Sequence, residues 1–382
     1  MKIFVVLICF VGLIECRLSV EEYFQKLIPK SENQFDILEK DSTLSQHLYE
    51  YYKGIFHQTN NNQKKTIDFK QQKRLQIFKS NLILVLKHNE DPSNSFQLKI
   101  NEFSDWTDQE RDQLRSNIDV IPSSSSSQPK RIVVRRDNDD HKIPSEFDWT
   151  NQTRVPNAVT PVKNQKHCGS CYAFAMVGAL EKTYAEIYNR SGPLSPQQLV
   201  DCSNENNGCE GGSFLGSFHY IQSIGFRLNL EEDYPTTLDG KQNSQCLKSN
   251  GSLLSLNSTV QLRYEELPSE DETYMKKIVY ERGPIYFSFN CGKREGNDSM
   301  LRFVSDKFDH YSVGIFDVPG CPTHRNMNHA LVIVGYGNEN GTDYWKVKNS
   351  WGADWGDHGY IKIKRNDNMC GIASYPYSAG LF

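Results

Sequence analysis

The sequence is poor in the features that mark several large protein classes. Neither charge is in large excess: 43 Lys/Arg stand against 47 Asp/Glu, a formal net charge of −4 over 382 residues. Neither half is more extreme, so no basic face for nucleic acid is expected. No internal period is visible, which excludes a repeat array. The apolar fraction of 37% is too high for a disordered chain. Long apolar runs are lacking apart from Ile3 to Ile14, which is too short to span a bilayer. Residues 17–121 hold no cysteine, no Asn-x-Ser/Thr sequon and a single glycine, Gly54. That stretch reads as helical and uncrosslinked.

What is present points to export. Met1-Lys2 precedes the apolar run, and Glu15-Cys16-Arg17 ends it. Residues 1–16 are therefore expected to be a cleaved secretory signal, although Ile14 fits the small-residue rule poorly; an uncleaved anchor is the alternative. Two of the ten cysteines, Cys9 and Cys16, fall there, and the other eight begin at Cys168. Sequons at Asn151, Asn189, Asn250, Asn257, Asn297 and Asn340 share the same C-terminal region. Together these predict a glycosylated, disulfide-bonded domain made in the secretory pathway, for a lysosome-like compartment or the extracellular space.

Composition divides the chain. Residues 17–121 carry a helical stripe in which Leu75, Phe78, Leu82, Val85 and Leu86 share one face. Pro122, Ser123 to Ser127 and Pro129 then read as a flexible linker, followed by basic Lys130, Arg131, Arg135 and Arg136. An exposed segment of this kind, residues 122–141, is either a protease cleavage region or an ordinary tether. Residues 142–382 open with a helix over Cys171 to Tyr188 and a second starting at Ser195-Pro196. β-rich runs follow at Ile285–Phe289, Ala330–Val334, Tyr344–Val347 and Tyr360–Ile363. Helices first and strands later predict an α+β fold of two lobes with a cleft between them.

Three segments carry chemistry: Gln165 through Phe174 with Cys168 and Cys171, Asn328-His329 opening an apolar run, and Lys348-Asn349-Ser350-Trp351-Gly352. A cysteine at a helix N-terminus has its thiolate stabilised by unpaired N–H groups and the helix dipole. Cys171 fits that position. His329, at the mouth of a strand, is a candidate general acid/base, Asn349 a residue that orients it, and Gln165 an oxyanion donor. Each has a plainer reading as a structural histidine, a turn residue or a redox pair Cys168/Cys171. A zinc site would need a second ligand pair, and none has suitable spacing. No metal and no cofactor is expected.

The order Cys171, His329, Asn349, with Gln165 upstream, resembles the papain family of cysteine peptidases and its cathepsin L-like branch. The likeness extends through Ile143-Pro144, Leu194 to Cys202, Gly208 to Gly212 and Cys370 to Ala373. Arg74, Phe78, Asn81 and Asn89, then Asn101, Phe103 and Asp105, resemble the two motifs of that family's inhibitory propeptide. The resemblance implies a papain-like fold with a helical and a β-rich lobe, preceded by a helical prodomain over 17–121 that inhibits a peptidase domain over 142–382. It implies cleavage in the linker, protein and peptide substrates, cystatin-like inhibitors, and a monomer. Cys171 would be the nucleophile, working as a thiolate–imidazolium pair with His329. Asn349 would orient the ring, Gln165 serve the oxyanion, and Trp351 shield the His–Asn bond. Disulfides Cys168–Cys209, Cys202–Cys246 and Cys321–Cys370 are implied too. They leave Cys291 as a buried thiol, an intermolecular bridge or a reactive site. Gly211 and Gly212 would admit the substrate backbone, and Phe214, Ser288 and Tyr375 would line a pocket for medium aliphatic or small aromatic side chains.

Some positions depart from the pattern. Lys70 stands where Glu is usual and Lys99 where Gly is usual. Tyr172 replaces the common Trp, as in the dipeptidyl-peptidase branch, so an exopeptidase and, further off, an inactive binding homologue are the alternatives. His329 and Asn349 lie further from Cys171 than is typical, which places extra loop length near 240–260 and 291–325. Lys166-His167 replaces a small pair beside Gln165, and His167 is expected to be a solvated loop residue rather than one that perturbs local charge.

Overall fold

The computed structural model describes residues 18–28, 34–57, 69–116, 118, 143–151, 154–237, 239–243, 245–247 and 262–381. The expected signal, the linker over 122–141, Asn250 and Asn257 lie outside the described residues.

The N-terminal part is helical: α1 (Val20–Leu27), α2 (Gln34–Lys40), α3 (Ser42–Phe56), α4 (Phe69–Glu90), a short strand β1 (Phe96–Leu98) and α5 (Asp108–Asp112). The predicted stripe of α4 faces inward. Phe78, Leu82, Val85 and Leu86 are buried and Leu75 partly so. Phe78 packs on Tyr49 and Tyr52 of α3 at 5.4 and 4.8 Å between ring centroids. α1 and α5 each begin with a capping box, Ser19/Glu22 and Thr107/Glu110, which satisfies otherwise orphaned N–H groups.

The remainder runs β2 (Phe147–Asp148), α6 (Cys171–Tyr188), α7 (Pro196–Cys202), α8 (Phe214–Ser223), β3 (Arg263–Glu266), α9 (Glu272–Glu281), β4 (Ile285–Phe289), α10 (Ser299–Asp309), β5 (Tyr311–Phe316), β6 (His329–Glu339), β7 (Thr342–Lys348), β8 (Tyr360–Lys364) and β9 (Pro376–Gly380). Both predicted helix starts and all four predicted strands are present. Much of the stretch 291–325, expected to hold extra loop, is instead α10 and β5. One apolar cluster surrounds α6, α7 and α8, and a second, rich in tryptophan, lies under the β-sheet. These are the two lobes expected of the α+β fold.

The sheet order is β1-β5-β8-β7-β6-β4-β9-β3, with β2 on β6. Its first strand comes from the N-terminal part: β1 adds antiparallel to the edge of β5, pairing Gln97 with Val313 and Leu98 with Tyr311. An exposed sheet edge is a ready template for such addition. α6 packs against β4 and β6. It is buried from Cys171 to Ala185, and the two charged residues within that stretch, Glu181 and Lys182, are each held in an ion pair.

Candidate active site

Cys171 is the first residue of α6. The preceding Ser170 makes no side-chain cap, although its carbonyl accepts the Ala173 and Phe174 N–H groups at 2.8 and 3.3 Å. The Cys171 Sγ accepts from the Ala330 N–H at 3.4 Å and lies 3.0 Å from the Ser116 hydroxyl. Burial pushes the thiol up, against the lowering effect of the Ser116 and Ala330 contacts.

His329 opens β6 opposite Phe289 of β4, so a central strand fixes its backbone. Its Nε2 is 2.9 Å from Asn349 Oδ1, and that same oxygen accepts the Ser350 N–H at 2.8 Å. The amide is thereby pinned with its oxygen towards the ring, which makes Nε2 the donor. Nδ1 is buried without a hydrogen-bond partner, the Cys171 thiol included, and the neutral ring leaves it the acceptor nitrogen. The Trp351 ring lies 4.9 Å from the imidazole, with the edge of Phe308 at 5.9 Å, so the His–Asn bond is dry. Burial pushes the imidazole down to about 3, with Arg115 adding to the shift against the Asn349 bond. The precursor therefore holds a neutral thiol and a neutral imidazole.

Gln165 is buried, and its Oε1 accepts the Ser350 hydroxyl at 2.6 Å, which turns Nε2 outward. Nε2 donates at 2.8 Å to the carbonyls of Cys168 and Leu114. A backbone carbonyl from the N-terminal part thus occupies the amide that an oxyanion would need. Ser116 N–H is tied to the Asn328 carbonyl at 2.9 Å. On one side of Ser116, Arg115 lies over the Trp351 ring at 5.9 Å. On the other, Ile118 packs on the apolar cluster that includes Phe214 and Tyr377.

The three disulfides pair as the resemblance implied, Cys168–Cys209, Cys202–Cys246 and Cys321–Cys370. Cys291 is free and buried, with its thiol donating to Asn328 Oδ1 at 3.3 Å. Gly211 and Gly212 are buried beside Tyr172, where a Cβ on Gly212 would come within 2.8 Å of the Tyr172 ring. The Tyr172 hydroxyl donates to the Gly208 carbonyl at 3.0 Å, so tyrosine is fully satisfied at this buried position. Phe214 opens α8 and stacks on Tyr377 at 4.3 Å. Ser288 N–H bonds to the Tyr375 carbonyl at 3.4 Å, and Tyr375 packs partly buried on the same cluster. Asn151, Asn189, Asn297 and Asn340 are all exposed. His167 is exposed as expected, and it also stacks on Trp106 at 4.4 Å.

Sequence reading missed Ser350, which pins both the Asn349 and the Gln165 amides. Its position between Asn349 and Trp351 was the available signal. Leu114 and Ser116 carried none, because each acquires a role only through a partner far away in the chain.

Residues 143–379 match the papain family cysteine protease domain, and residues 56–111 the cathepsin propeptide inhibitor domain. Germination-specific cysteine protease 1 of Arabidopsis thaliana is 36% identical over 86% of this chain and 83% of its own length. Cathepsin S of Bos taurus is 37% identical over 78% and 83% respectively. The proform of the ragweed pollen protease Amb a 11 superposes with a TM-score of 0.71 at 29% identity, covering 92% of this chain and 98% of that one.

Proposed function

The chain belongs to the papain family of cysteine proteases and carries a cathepsin-type propeptide, and we propose that it is a secretory-pathway endopeptidase made as a zymogen. The observation that carries the endopeptidase reading is the path of the propeptide. It lies on both sides of Cys171, with Arg115 against Trp351 and Ile118 against the Phe214 cluster. A cleft that accepts chain in both directions suits cleavage within a polypeptide rather than at its end. Tyr172, the feature that favoured an exopeptidase, has a packing reason through Gly208.

In this reading residues 17–121 form the inhibitory domain, cutting within 122–141 releases it, and residues 142–382 are the peptidase. The Cys171 thiolate attacks the substrate carbonyl and His329 carries its proton to the leaving amine. The oxyanion takes the Gln165 amide that Leu114 now fills, and water hydrolyses the acyl-enzyme. Phe214, Ser288 and Tyr375 select aliphatic over basic side chains. The exposed sequons are glycan acceptors, the enzyme is a monomer, and cystatin-like proteins inhibit it.

An acid-activation time course of the purified precursor tests this beside Cys171→Ala. Loss of the N-terminal part should coincide with cleavage of an N-terminally blocked, internally quenched peptide, and the variant should show no activity. Turnover of unblocked dipeptide reporters alone would replace the endopeptidase with an exopeptidase.

A further inference from the structure

Arg115 leads to a feature that the cleavage chemistry does not use. Its guanidinium is buried and fully paired. Nε donates to the Gly292 carbonyl at 2.9 Å. Nη2 reaches Asp309 Oδ1 at 2.7 Å, the Ser305 hydroxyl at 2.8 Å and the Cys291 carbonyl at 3.3 Å. Within the propeptide Arg115 keeps the bond from Nη1 to the Arg111 carbonyl at 2.8 Å and a longer ion pair with Asp112 at 3.8 Å. The peptidase domain therefore supplies a carboxylate, a hydroxyl and two carbonyls converging on one guanidinium, with the Trp351 face beside it. Gly292 shapes this cage. At φ +77° its turn presses on α10, where a Cβ would come within 2.3 Å of the Leu301 carbonyl oxygen.

Asp309 is costly where it stands. It is 1% exposed and lies at the C-terminus of α10, facing the negative end of the helix dipole. The second propeptide cation, Arg111, reaches it at 3.3 Å, yet its Nε and Nη2 have no partner. The cage is thus built for one guanidinium. Arg294, the nearby cation of the peptidase domain itself, is held on Asp306 and on Asp108 of the propeptide. Once the propeptide leaves, Asp309 loses both arginines. The cage also lies on the side of the thiol where Trp351 covers His329, towards which the leaving amine must depart.

We propose that Asp309, Ser305 and the carbonyls of Cys291 and Gly292 form an arginine-accepting pocket in the mature enzyme, selecting substrates with a basic side chain among the two residues that follow the scissile bond. The propeptide fills this pocket with Arg115 as it fills the oxyanion site with Leu114. The inference rests on the endopeptidase reading and adds a side-chain preference to it.

The test uses activated enzyme and matched quenched peptides that differ only in arginine or its neutral isostere citrulline, placed first or second after the cleaved bond, with products identified by mass. The arginine peptide should show a kcat/KM higher by about tenfold or more at one of the positions. Asp309→Asn should bring that ratio close to one. It is made in a precursor also carrying Arg111→Met and Arg115→Met, so that no buried cation loses its counter-charge during folding. If that variant yields no protein, the wild-type ratio decides alone. Equal cleavage of both peptides at both positions overturns the pocket and leaves the endopeptidase standing. Cleavage of none, with unblocked dipeptide reporters turned over, overturns the endopeptidase reading and the pocket with it.

Discussion

Two amides decide the geometry around Cys171, and each is aimed by a neighbour rather than by its own rotamer. Ser350 turns the Asn349 oxygen towards His329 through its N–H, and turns the Gln165 nitrogen towards the cleft through its hydroxyl. Replacing Asn349 with Ala should lower kcat by about 10- to 100-fold with little change in KM, because the ring stays present but loses its fixed tautomer. Replacing Gln165 with Ala should cost about 100-fold or more in kcat, as for loss of one oxyanion donor. Steady-state kinetics on the activated enzyme separates the two parameters. Protonation gives a second expectation. In the precursor, burial holds the thiol up and the imidazole down to about 3, so both are neutral at pH 5 to 7. When the propeptide leaves and water enters, relief of burial outweighs the lost Ser116 contact, so the thiol pKa should fall and the imidazole pKa rise, and the pair becomes ionic between those two values. Iodoacetamide should then alkylate Cys171 rapidly in the activated enzyme and hardly at all in the precursor. Equal rates at pH 6 would contradict this account of latency.

At the scale of elements, the propeptide motifs acquire physical roles. Arg74 of α4 reaches Glu110 at 2.5 Å and Asp105 at 3.4 Å. Asn81 donates to the Ser104 carbonyl, and Asn89 exchanges two bonds with the backbone of Leu98 in β1, each at 2.8 Å. α4 is therefore the post to which the following loop and strand are tied. Asp105 gathers the Tyr49 and Tyr52 hydroxyls and the Arg74 guanidinium, with His57 at 3.3 Å. Burial alone would push its carboxyl up, but these partners outweigh it and hold it below its usual value. The stabilisation it gives is complete above the ordinary carboxylate pKa of about 3.9 and is lost as pH falls through the lower folded value. Asp105→Asn should weaken the propeptide by about 2 kcal/mol. Its processing should then begin at a higher pH than in wild type, read by gel across a pH series. Lys99, where the family usually has glycine, donates to the Gly356 carbonyl at 2.8 Å and so fastens propeptide to peptidase.

Across the whole molecule, latency rests on docking contacts between parts distant in sequence, beyond the Lys99 bond and the Arg115 cage. β1 extends the sheet at β5, Phe103 meets the Trp351 ring edge-on at 5.6 Å, and Asn101 donates to the Asp309 carbonyl at 2.7 Å. Phe103 is 2% exposed and packs also on Trp106, so Phe103→Ala should cost about 3 kcal/mol at this junction. The unprocessed variant should show measurable peptidase activity where the wild-type precursor shows none. Unchanged latency would mean that the remaining contacts hold the propeptide in place without Phe103.

How much of this was legible beforehand follows from the range of each interaction. The helix starting at Cys171, the cap and proline at Ser195-Pro196, and the β-rich runs depend on residues within a few positions of one another, and they are found where the pattern placed them. The candidate set Cys171, His329, Asn349 and Gln165 came from its order along the chain, since each residue singly has a plainer reading, and the disulfide pairs followed from the family resemblance. Other features had no local signal. Ser116 sits on the thiol, Leu114 on the Gln165 amide, and Arg115 in the Asp309 cage only because the folded propeptide brings residues 114–116 across both lobes. α10, which carries Asp309, lies in a stretch that spacing alone suggested was loop. The sequence by itself determined which chemistry the chain can perform. Tertiary structure decided that the precursor cannot yet perform it, because burial under the propeptide holds Cys171 and His329 neutral and fills the sites a substrate would use.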